Sequence, residues 1–172
     1  MNESKAPLEI ERKFLIRMPC VDTLLGLAGV RVWEIEQTYL ISPQGLSRRV
    51  RMLRENGTAR YIYTEKVRLS PTTAEERERE VSAADYAALL GERDPARMTV
   101  KKTRYLLPTP SRHVAEVDIY PFWDDRATVE VELSAEDEAF LLPDCLRVVR
   151  EITADKRYKN AALAKEIPND PL

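Results

Sequence analysis

The sequence has 172 residues, of which 44% are hydrophobic, and this fits one compact domain with its own core. Its 27 Lys and Arg residues nearly balance 29 Asp and Glu residues, for a net charge of -2, so no basic excess favours a nucleic-acid binder. Its two cysteines form no CxxC motif, no run of about 18 apolar residues occurs, and the amino terminus lacks signal-peptide features. These features exclude a disulfide scaffold and a membrane-spanning helix, and they predict a protein of the reducing cytoplasm.

Most of the chain alternates between apolar and polar residues, and this period of two predicts β-strands. Two of the links between them, at residues 42–45 and 55–58, carry the Pro, Asn and Gly residues of tight turns. The predicted strands, in chain order, are residues 9–16, 33–41, 46–55, 60–69, 75–81, 99–107, 114–120 and 128–133.

Helices are fewer, and three of the four follow a candidate capping residue. The predicted helices are residues 21–28, 83–91 after Ser82, 135–141 after Ser134, and 156–166 after Asp155. Strands in succession with peripheral helices predict an α+β fold dominated by an antiparallel sheet. About eight strands are sufficient to close that sheet into a β barrel and so remove its edges.

Charged residues share one face of several predicted strands, because residues two apart in a strand point the same way. These sets are Glu9, Glu11 and Lys13; Arg49 and Arg51; Lys102 and Arg104; Glu116 and Asp118; and Glu130 and Glu132. One such strand alone is typical of a sheet with one face in water. Several together, in a sheet that closes on itself, predict a volume lined by both acids and bases.

This combination of charges predicts the chemistry of the ligand. Clustered carboxylates suit a hard divalent cation, and Arg and Lys side chains suit phosphate oxygens. The sequence has no Walker loop and no GxGxxG motif, so side chains would have to hold the phosphates. His113 is the sole histidine, which disfavours a histidine metal site or a Ser-His-Asp triad. The pattern therefore indicates a site for a metal-bound polyphosphate.

The first predicted strand contains the letters EIERK, which match the ExExK signature of the CYTH superfamily, or triphosphate tunnel metalloenzymes. The segments QTYL, RRVR, TEK, KKTRY, AEVDIY, VEVEL and EITADKRYKNAALA follow in the order typical of bacterial members. The chain thus resembles this family over nearly its whole length. The resemblance implies a single domain, residues 1–172, folded as an eight-stranded antiparallel tunnel that binds a triphosphate with Mg²⁺ or Mn²⁺.

The resemblance also implies roles for individual residues. The expected metal ligands are Glu9, Glu11, Asp118, Glu130 and Glu132. The expected phosphate-binding residues are Lys13, Arg49, Arg51, Lys66, Lys102, Arg104, Arg157 and Lys159, with Lys156 near the tunnel mouth. Lys102, whose pKa neighbouring cations should lower, is the hypothetical general base, with Tyr39 orienting it or the water. The alternative for Tyr39 is an aromatic side chain that packs at a barrel end.

The expected function is hydrolysis of a small-molecule triphosphate, with inorganic tripolyphosphate as the first candidate. The alternatives are a class IV-type adenylate cyclase, a thiamine or nucleoside triphosphatase, and a non-catalytic binder of polyphosphate or nucleotides. No nucleic-acid or membrane partner is expected, and the protein is expected to be a monomer or a homodimer. One strand departs from the family pattern: Glu76 stands where relatives often have Arg, and either Glu76, Glu78 and Glu80 or Arg77 and Arg79 face the tunnel.

Overall fold

The computed structural model describes residues 7–172, so the first six residues of the amino-terminal segment lie outside the described residues. Its strands are Leu8–Arg17 (β1), Arg31–Leu40 (β2), Ser47–Glu55 (β3), Thr58–Arg68 (β4), Thr73–Val81 (β5), Val100–Pro108 (β6), Val114–Ile119 (β7), Arg126–Leu133 (β8) and Val148–Glu151 (β9). β1 to β8 confirm the eight strands that the period of two predicts. β9 was not predicted, since its four residues are too few to show a pattern.

The strands form a closed antiparallel barrel. Their order is β5-β4-β3-β2-β6-β7-β8-β1, and β1 returns to β5 through the pairs Leu8 with Glu75, Glu9 with Ala74, and Ile10 with Thr73. Beyond these pairs β1 separates from β5, and its later residues pair with β9 instead. The predicted eight-stranded antiparallel barrel is therefore confirmed, with a ninth short strand on its wall.

The turn between β3 and β4 confirms one of the predicted hairpins. Asn56 and Gly57 have φ values of 48° and 80°, as a type I′ turn requires at both central residues. Asn and Gly tolerate this left-handed conformation better than other residues. The turn thereby sets the register that pairs Arg49 with Thr64 and Arg51 with Ile62.

The helices are short and peripheral: Val21–Leu25 (α1), Ala83–Leu89 (α2) and Asn160–Leu163 (α3), with 3-10 turns at Leu90–Glu92 and Lys156–Tyr158. The Ser82 hydroxyl caps α2 by accepting a hydrogen bond of 3.0 Å from the Asp85 amide. Within residues 7–172, no helix has the length and apolar character needed to cross a membrane.

The helix predicted at residues 135–141 is wrong. This segment is a turn followed by irregular chain, in which Glu136 binds the hydroxyls of Ser70, Thr72 and Thr73. Glu138 lies 3.0 Å from the ring of His113. A helix this short has a costly nucleus, and these tertiary contacts outweigh its weak propensity.

The helix predicted at residues 156–166 is interrupted. Asp155 caps its first turn as predicted, but Lys159 is extended, with ψ at 138°, and separates the 3-10 turn from α3. The Lys159 ammonium reaches the Glu11 carboxylate at 3.3 Å, and Tyr158 before it is fully buried. Docking of both side chains onto the barrel therefore breaks the helical pattern at Lys159.

Two apolar clusters lie outside the barrel wall, and a third closes one of its ends. The larger outer cluster is formed by alternate residues of β1, β6, β7 and β8, covered by Leu24 of α1 and by the chain near Leu146. The smaller one lies under α2. Leu15, Tyr39 and Val100 meet Tyr158 and the residues of α3 at the end of the barrel. The outward residues thus supply the core, which leaves their polar alternates facing inward.

Candidate active site

The barrel encloses a cavity of about 1010 Å³ whose wall carries charges of both signs. Its acidic lining consists of Glu9, Glu11, Glu76, Glu78, Glu116, Glu130 and Glu132. Its basic lining within the barrel consists of Lys13, Arg49, Arg51, Lys66, Arg68, Lys102 and Arg104. Like charges in an enclosed volume repel one another strongly. A wall with this many carboxylates and cations therefore suits a ligand that is itself multiply charged.

β1 contributes Glu9, Glu11 and Lys13 to the cavity from alternate positions. Glu9 forms an ion pair with Lys66 of β4. Burial raises the pKa of Glu9 to about 7, and the Glu11 and Glu76 carboxylates add to this rise while Lys66 opposes it. The carboxylates at this end of β1 are therefore close enough to repel one another.

β8 contributes Glu130 and Glu132, which have opposite surroundings. Glu130 lies 2.7 Å from the ammonium of Lys13 and 3.0 Å from the guanidinium of Arg104. Burial opposes ionisation of Glu130, but these two cations hold its pKa well below its usual range. Burial and the Glu11 carboxylate raise the pKa of Glu132, and none of the ion pairs among residues 7–172 includes it. Glu132 is thus an ionisable oxygen donor without a basic partner in this part of the chain.

The acidic side of the cavity fits a divalent cation. Burial is the main cause of raised pKa values at Glu9, Glu116 and Glu132, and neighbouring carboxylates contribute at each. Excess negative charge on oxygen donors is what Mg²⁺ and Mn²⁺ neutralise. Within residues 7–172, no three Asp, Glu, His or Cys side chains form a ready-made metal cage. The donors therefore suit a cation that binds together with ligand phosphates and water.

Asp118 lies behind the cavity wall and orients two of its cations. It is fully buried and accepts hydrogen bonds from Lys102 Nζ at 2.5 Å, Arg104 Nε at 2.7 Å and Arg104 Nη2 at 2.8 Å. Burial opposes its ionisation, but Arg104 and Lys102 lower its pKa overall. The structure thus places this expected metal ligand in contact with two of the expected phosphate-binding cations rather than on the cavity surface.

Lys102 and Tyr39 both line the cavity, but their polar atoms have different partners. Burial and the neighbouring Arg104 lower the pKa of Lys102 to about 8, against the opposing charge of Asp118. The Tyr39 hydroxyl accepts a hydrogen bond of 2.6 Å from Gln37, and burial raises the pKa of this hydroxyl. Tyr39 also packs within the cluster that closes the barrel end. Each side chain therefore reaches the cavity from its own hydrogen-bond network.

The carboxyl-terminal segment brings further cations to the cavity, including Lys156 and Lys159. Lys159 lies 3.3 Å from Glu11, which places it beside the acidic end of β1. Arg157 differs, since its guanidinium pairs with Asp155 at 2.8 Å and Asp170 at 2.9 Å and does not belong to the cavity lining. Of the three basic residues in this turn, Arg157 is the one that the structure places outside the site.

The structure also adds lining residues that the sequence reasoning missed. Arg68 shares a face with Lys66 two residues earlier, so the period of two was sufficient to find it. Arg97 and Lys165 lie outside the strands and have no such signal. Glu76 and Glu78 face the cavity, which decides the orientation of β5 that the sequence left open.

Comparison with known proteins agrees with this geometry. No profile of a known protein family matches the chain. The chain is 33% identical over 163 residues to a protein named inorganic triphosphatase from Nitrosomonas europaea, which covers 93% of this chain and 99% of that protein. It is also similar to the crystal structure of the inorganic triphosphatase NE1496, with a TM-score of 0.58, 31% identity, and coverage of 94% of this chain and 97% of that one.

A more distant similarity concerns the fold alone. The PH1819 protein from Pyrococcus horikoshii has a TM-score of 0.59 at 20% identity, covering 76% of this chain and 81% of that one. The near-complete match to the Nitrosomonas protein is the evidence that decides membership. Together with the ExExK strand and the later charged pairs inside one barrel, it shows that the chain belongs to the CYTH superfamily of triphosphate tunnel metalloenzymes.

Proposed function

We propose that this protein is a divalent-metal-dependent triphosphatase that hydrolyses inorganic tripolyphosphate to pyrophosphate and phosphate. One observation carries the proposal: cations from β3, β4 and β6 share an enclosed cavity with carboxylates from β1 and β8. A metal-bound polyphosphate needs both sets, the cations for its oxygens and the carboxylates for its metal. The name of the Nitrosomonas relative supports the same activity.

The phosphate chain is held by side chains. Arg49 and Arg51 project from β3, Arg104 from β6 and Lys66 from β4, so they approach the cavity from adjoining parts of the wall. Each Arg presents a planar fork to phosphate oxygens, whereas Lys13 and Lys66 act as compact charges. Charge that develops on the transferred phosphoryl group is stabilised by donors already in place, which is the main source of catalysis in phosphoryl transfer.

Glu9, Glu11, Glu130 and Glu132 are the carboxylates that would hold Mg²⁺ or Mn²⁺. A bound divalent cation would supply charge stabilisation to the phosphoryl oxygens and lower the pKa of water. Asp118 accepts three hydrogen bonds from Lys102 and Arg104 and so keeps both cations aimed at the cavity. This positioning role replaces direct ligation in the proposal.

Lys102 is the proposed proton acceptor. Burial and the neighbouring Arg104 lower its pKa to about 8 against the pull of Asp118, so a fraction of Lys102 is the neutral amine near neutral pH and is able to accept a proton from the attacking water. Tyr39 lies in the same cavity, and its hydroxyl is held by Gln37. The role proposed for Tyr39 is to orient water rather than to carry charge, since burial keeps its phenol protonated.

The proposed setting is the cytoplasm, where a small-molecule triphosphate is the partner and neither nucleic acid nor membrane takes part. Both cysteines, Cys20 and Cys145, are free, which supports a reducing compartment. A monomer and a homodimer are both compatible with the proposal, because the described residues of one chain supply the whole cavity lining.

The test is to incubate the purified protein with Mg²⁺ or Mn²⁺ and, separately, tripolyphosphate, ATP and thiamine triphosphate. Phosphate release and cyclic AMP are both measured. Glu132→Gln is the informative variant, because Glu132 lines the cavity without an ion pair whose loss would disturb the fold. Glu34→Gln is the matched control. The Glu34 side chain lies on the outer face of β2, is 65% exposed and pairs with Arg54 at 3.2 Å.

We expect rapid phosphate release from tripolyphosphate, a loss of about 100-fold in Glu132→Gln, and no change in the control. Cyclic AMP and pyrophosphate from ATP would identify a cyclase instead. Phosphate release chiefly from thiamine triphosphate or ATP would move the substrate to that class. Binding of tripolyphosphate without turnover on any substrate would identify a non-catalytic binder and end the hydrolase proposal.

A further inference from the structure

The cations on β3 and β4 already have anionic partners, and these partners come from β5. Glu76 lies 3.1 Å from Arg49 and 2.9 Å from Lys66. Glu78 forms an ion pair with Arg51 and lies 3.6 Å from Arg49. Two carboxylates thus occupy the three cations expected to hold phosphate on this side of the cavity.

The barrel register creates these contacts. Lys66 pairs with Glu76 across β4 and β5, and Thr64 pairs with Glu78. Arg49 in turn pairs with Thr64 across β3 and β4, so inward side chains of three adjoining strands converge. The Thr64 hydroxyl holds the Glu78 carboxylate at 3.0 Å, which keeps it directed at the arginines.

Both carboxylates compete through their ion pairs with any phosphate that enters. Burial opposes ionisation of Glu76, but Arg49 and Lys66 outweigh it and lower its pKa to about 2. A phosphate oxygen that approaches Arg49 or Arg51 must share the guanidinium with a carboxylate of the same charge. At Glu76, whose side chain is 11% exposed, water screens this repulsion poorly.

We propose that Glu76 and Glu78 set the substrate class of this site by rejecting free polyphosphate and admitting the divalent-metal complex of a linear triphosphate. This inference rests on the proposed function, which supplies the triphosphate. The β5 carboxylates offset the charge of Arg49, Arg51 and Lys66, so metal-free polyphosphate gains little favourable electrostatic free energy when it binds. A divalent cation bound to the substrate reduces the repulsion between its phosphates and the β5 carboxylates, so the metal complex binds more favourably.

The test is calorimetric titration of tripolyphosphate, as its non-hydrolysable imido analogue so that the proposed activity does not consume it, into the purified protein, once with EDTA and once with excess Mg²⁺. Glu78→Gln is the first variant, because the Glu78 side chain is 41% exposed and its neutralisation should disturb the fold less than that of Glu76, whose side chain is 11% exposed. Glu76→Gln is the second. Glu80→Gln is the matched control, since Glu80 shares the strand and the parity but pairs with the exposed Arg60 at 3.0 Å. Thermal melting verifies that each variant is folded.

With EDTA, we expect Glu78→Gln to bind tripolyphosphate about tenfold more tightly than the wild type, because one unit of like charge has left the site. With excess Mg²⁺ this increase in affinity should be smaller. Glu80→Gln should bind with the affinity of the wild type under both conditions. Equal or weaker binding by both folded Gln variants with EDTA would overturn the inference.

Hydrolysis is measured on the same proteins to separate this inference from the proposed function. Hydrolysis by the wild type without tighter metal-free binding by either folded Gln variant would refute the β5 role and leave the triphosphatase intact. Tighter metal-free binding by Glu78→Gln without hydrolysis by the wild type would support the β5 role and refute the triphosphatase. Absence of tripolyphosphate binding in all proteins, with and without Mg²⁺, would overturn both.

Discussion

Replacement of Asp118 by Asn should destabilise the barrel strongly. Asp118 holds the charged groups of Lys102 and Arg104 at 2.5 to 2.8 Å, and the three side chains are 0%, 1% and 8% exposed. Asn keeps the shape of the carboxylate but removes its charge, so it leaves two buried cations with less compensation. Loss of one partner of a buried ion pair costs about 3–5 kcal/mol.

This free energy translates into a measurable change in melting temperature. A chain of this size loses about 2–4 °C for each kcal/mol, so Asp118→Asn should melt about 6–20 °C below the wild type. The lower end applies if Lys102 releases its proton when its counter-ion is gone. Because Asp118 has a lowered pKa in the fold, its contribution is present above the pKa of an unfolded Asp and lost as the pH falls.

The assay is urea or thermal unfolding at neutral pH, followed by circular dichroism, with Asp125→Asn as the control. Asp125 also pairs with an arginine, Arg126 at 2.7 Å, but its side chain is 49% exposed and water replaces the interaction. A loss in Asp118→Asn no greater than in Asp125→Asn would refute the argument that Asp118 is a structural counter-ion of the two cations.

Three further predictions concern the site and its mouth. If Lys102 accepts the proton, kcat of the wild type rises as the pH increases through about 8. Lys102→Arg should lower kcat at least about 100-fold and remove that rise. An unchanged pH profile of kcat in Lys102→Arg would exclude the role. Asn160→Ala leaves the buried Tyr120 hydroxyl without the acceptor that it has at 2.7 Å, and denaturant titration should show a loss of about 1–3 kcal/mol that Asn160→Asp largely restores. In steady-state kinetics, Lys159→Ala should raise KM, whereas Arg157→Ala should leave both constants near wild type, and a raised KM in Arg157→Ala alone would contradict the placement of these two side chains.

Local patterns in the sequence are sufficient to locate the strands and to assign most charged residues to one face. The alternation of side chains along a strand is local, so the sequence places Arg49 and Arg51 on one face of β3 and Val50 on the other. The same rule placed Glu130 and Glu132 inside. Closure into a barrel followed because so many strands with one polar face need their edges paired.

Where local patterns allow two outcomes, contacts between distant parts of the chain select one of them. Both faces of β5 are charged, and the pairing of Glu75 with Leu8 and of Lys66 with Glu76 turns the glutamates inward. Likewise, Arg157 and Lys159 are two residues apart, yet a break in the helix sends one to Asp170 and the other to Glu11. These outcomes depend on contacts between residues distant in the chain, and local alternation along a strand carries no information about the energies of those contacts.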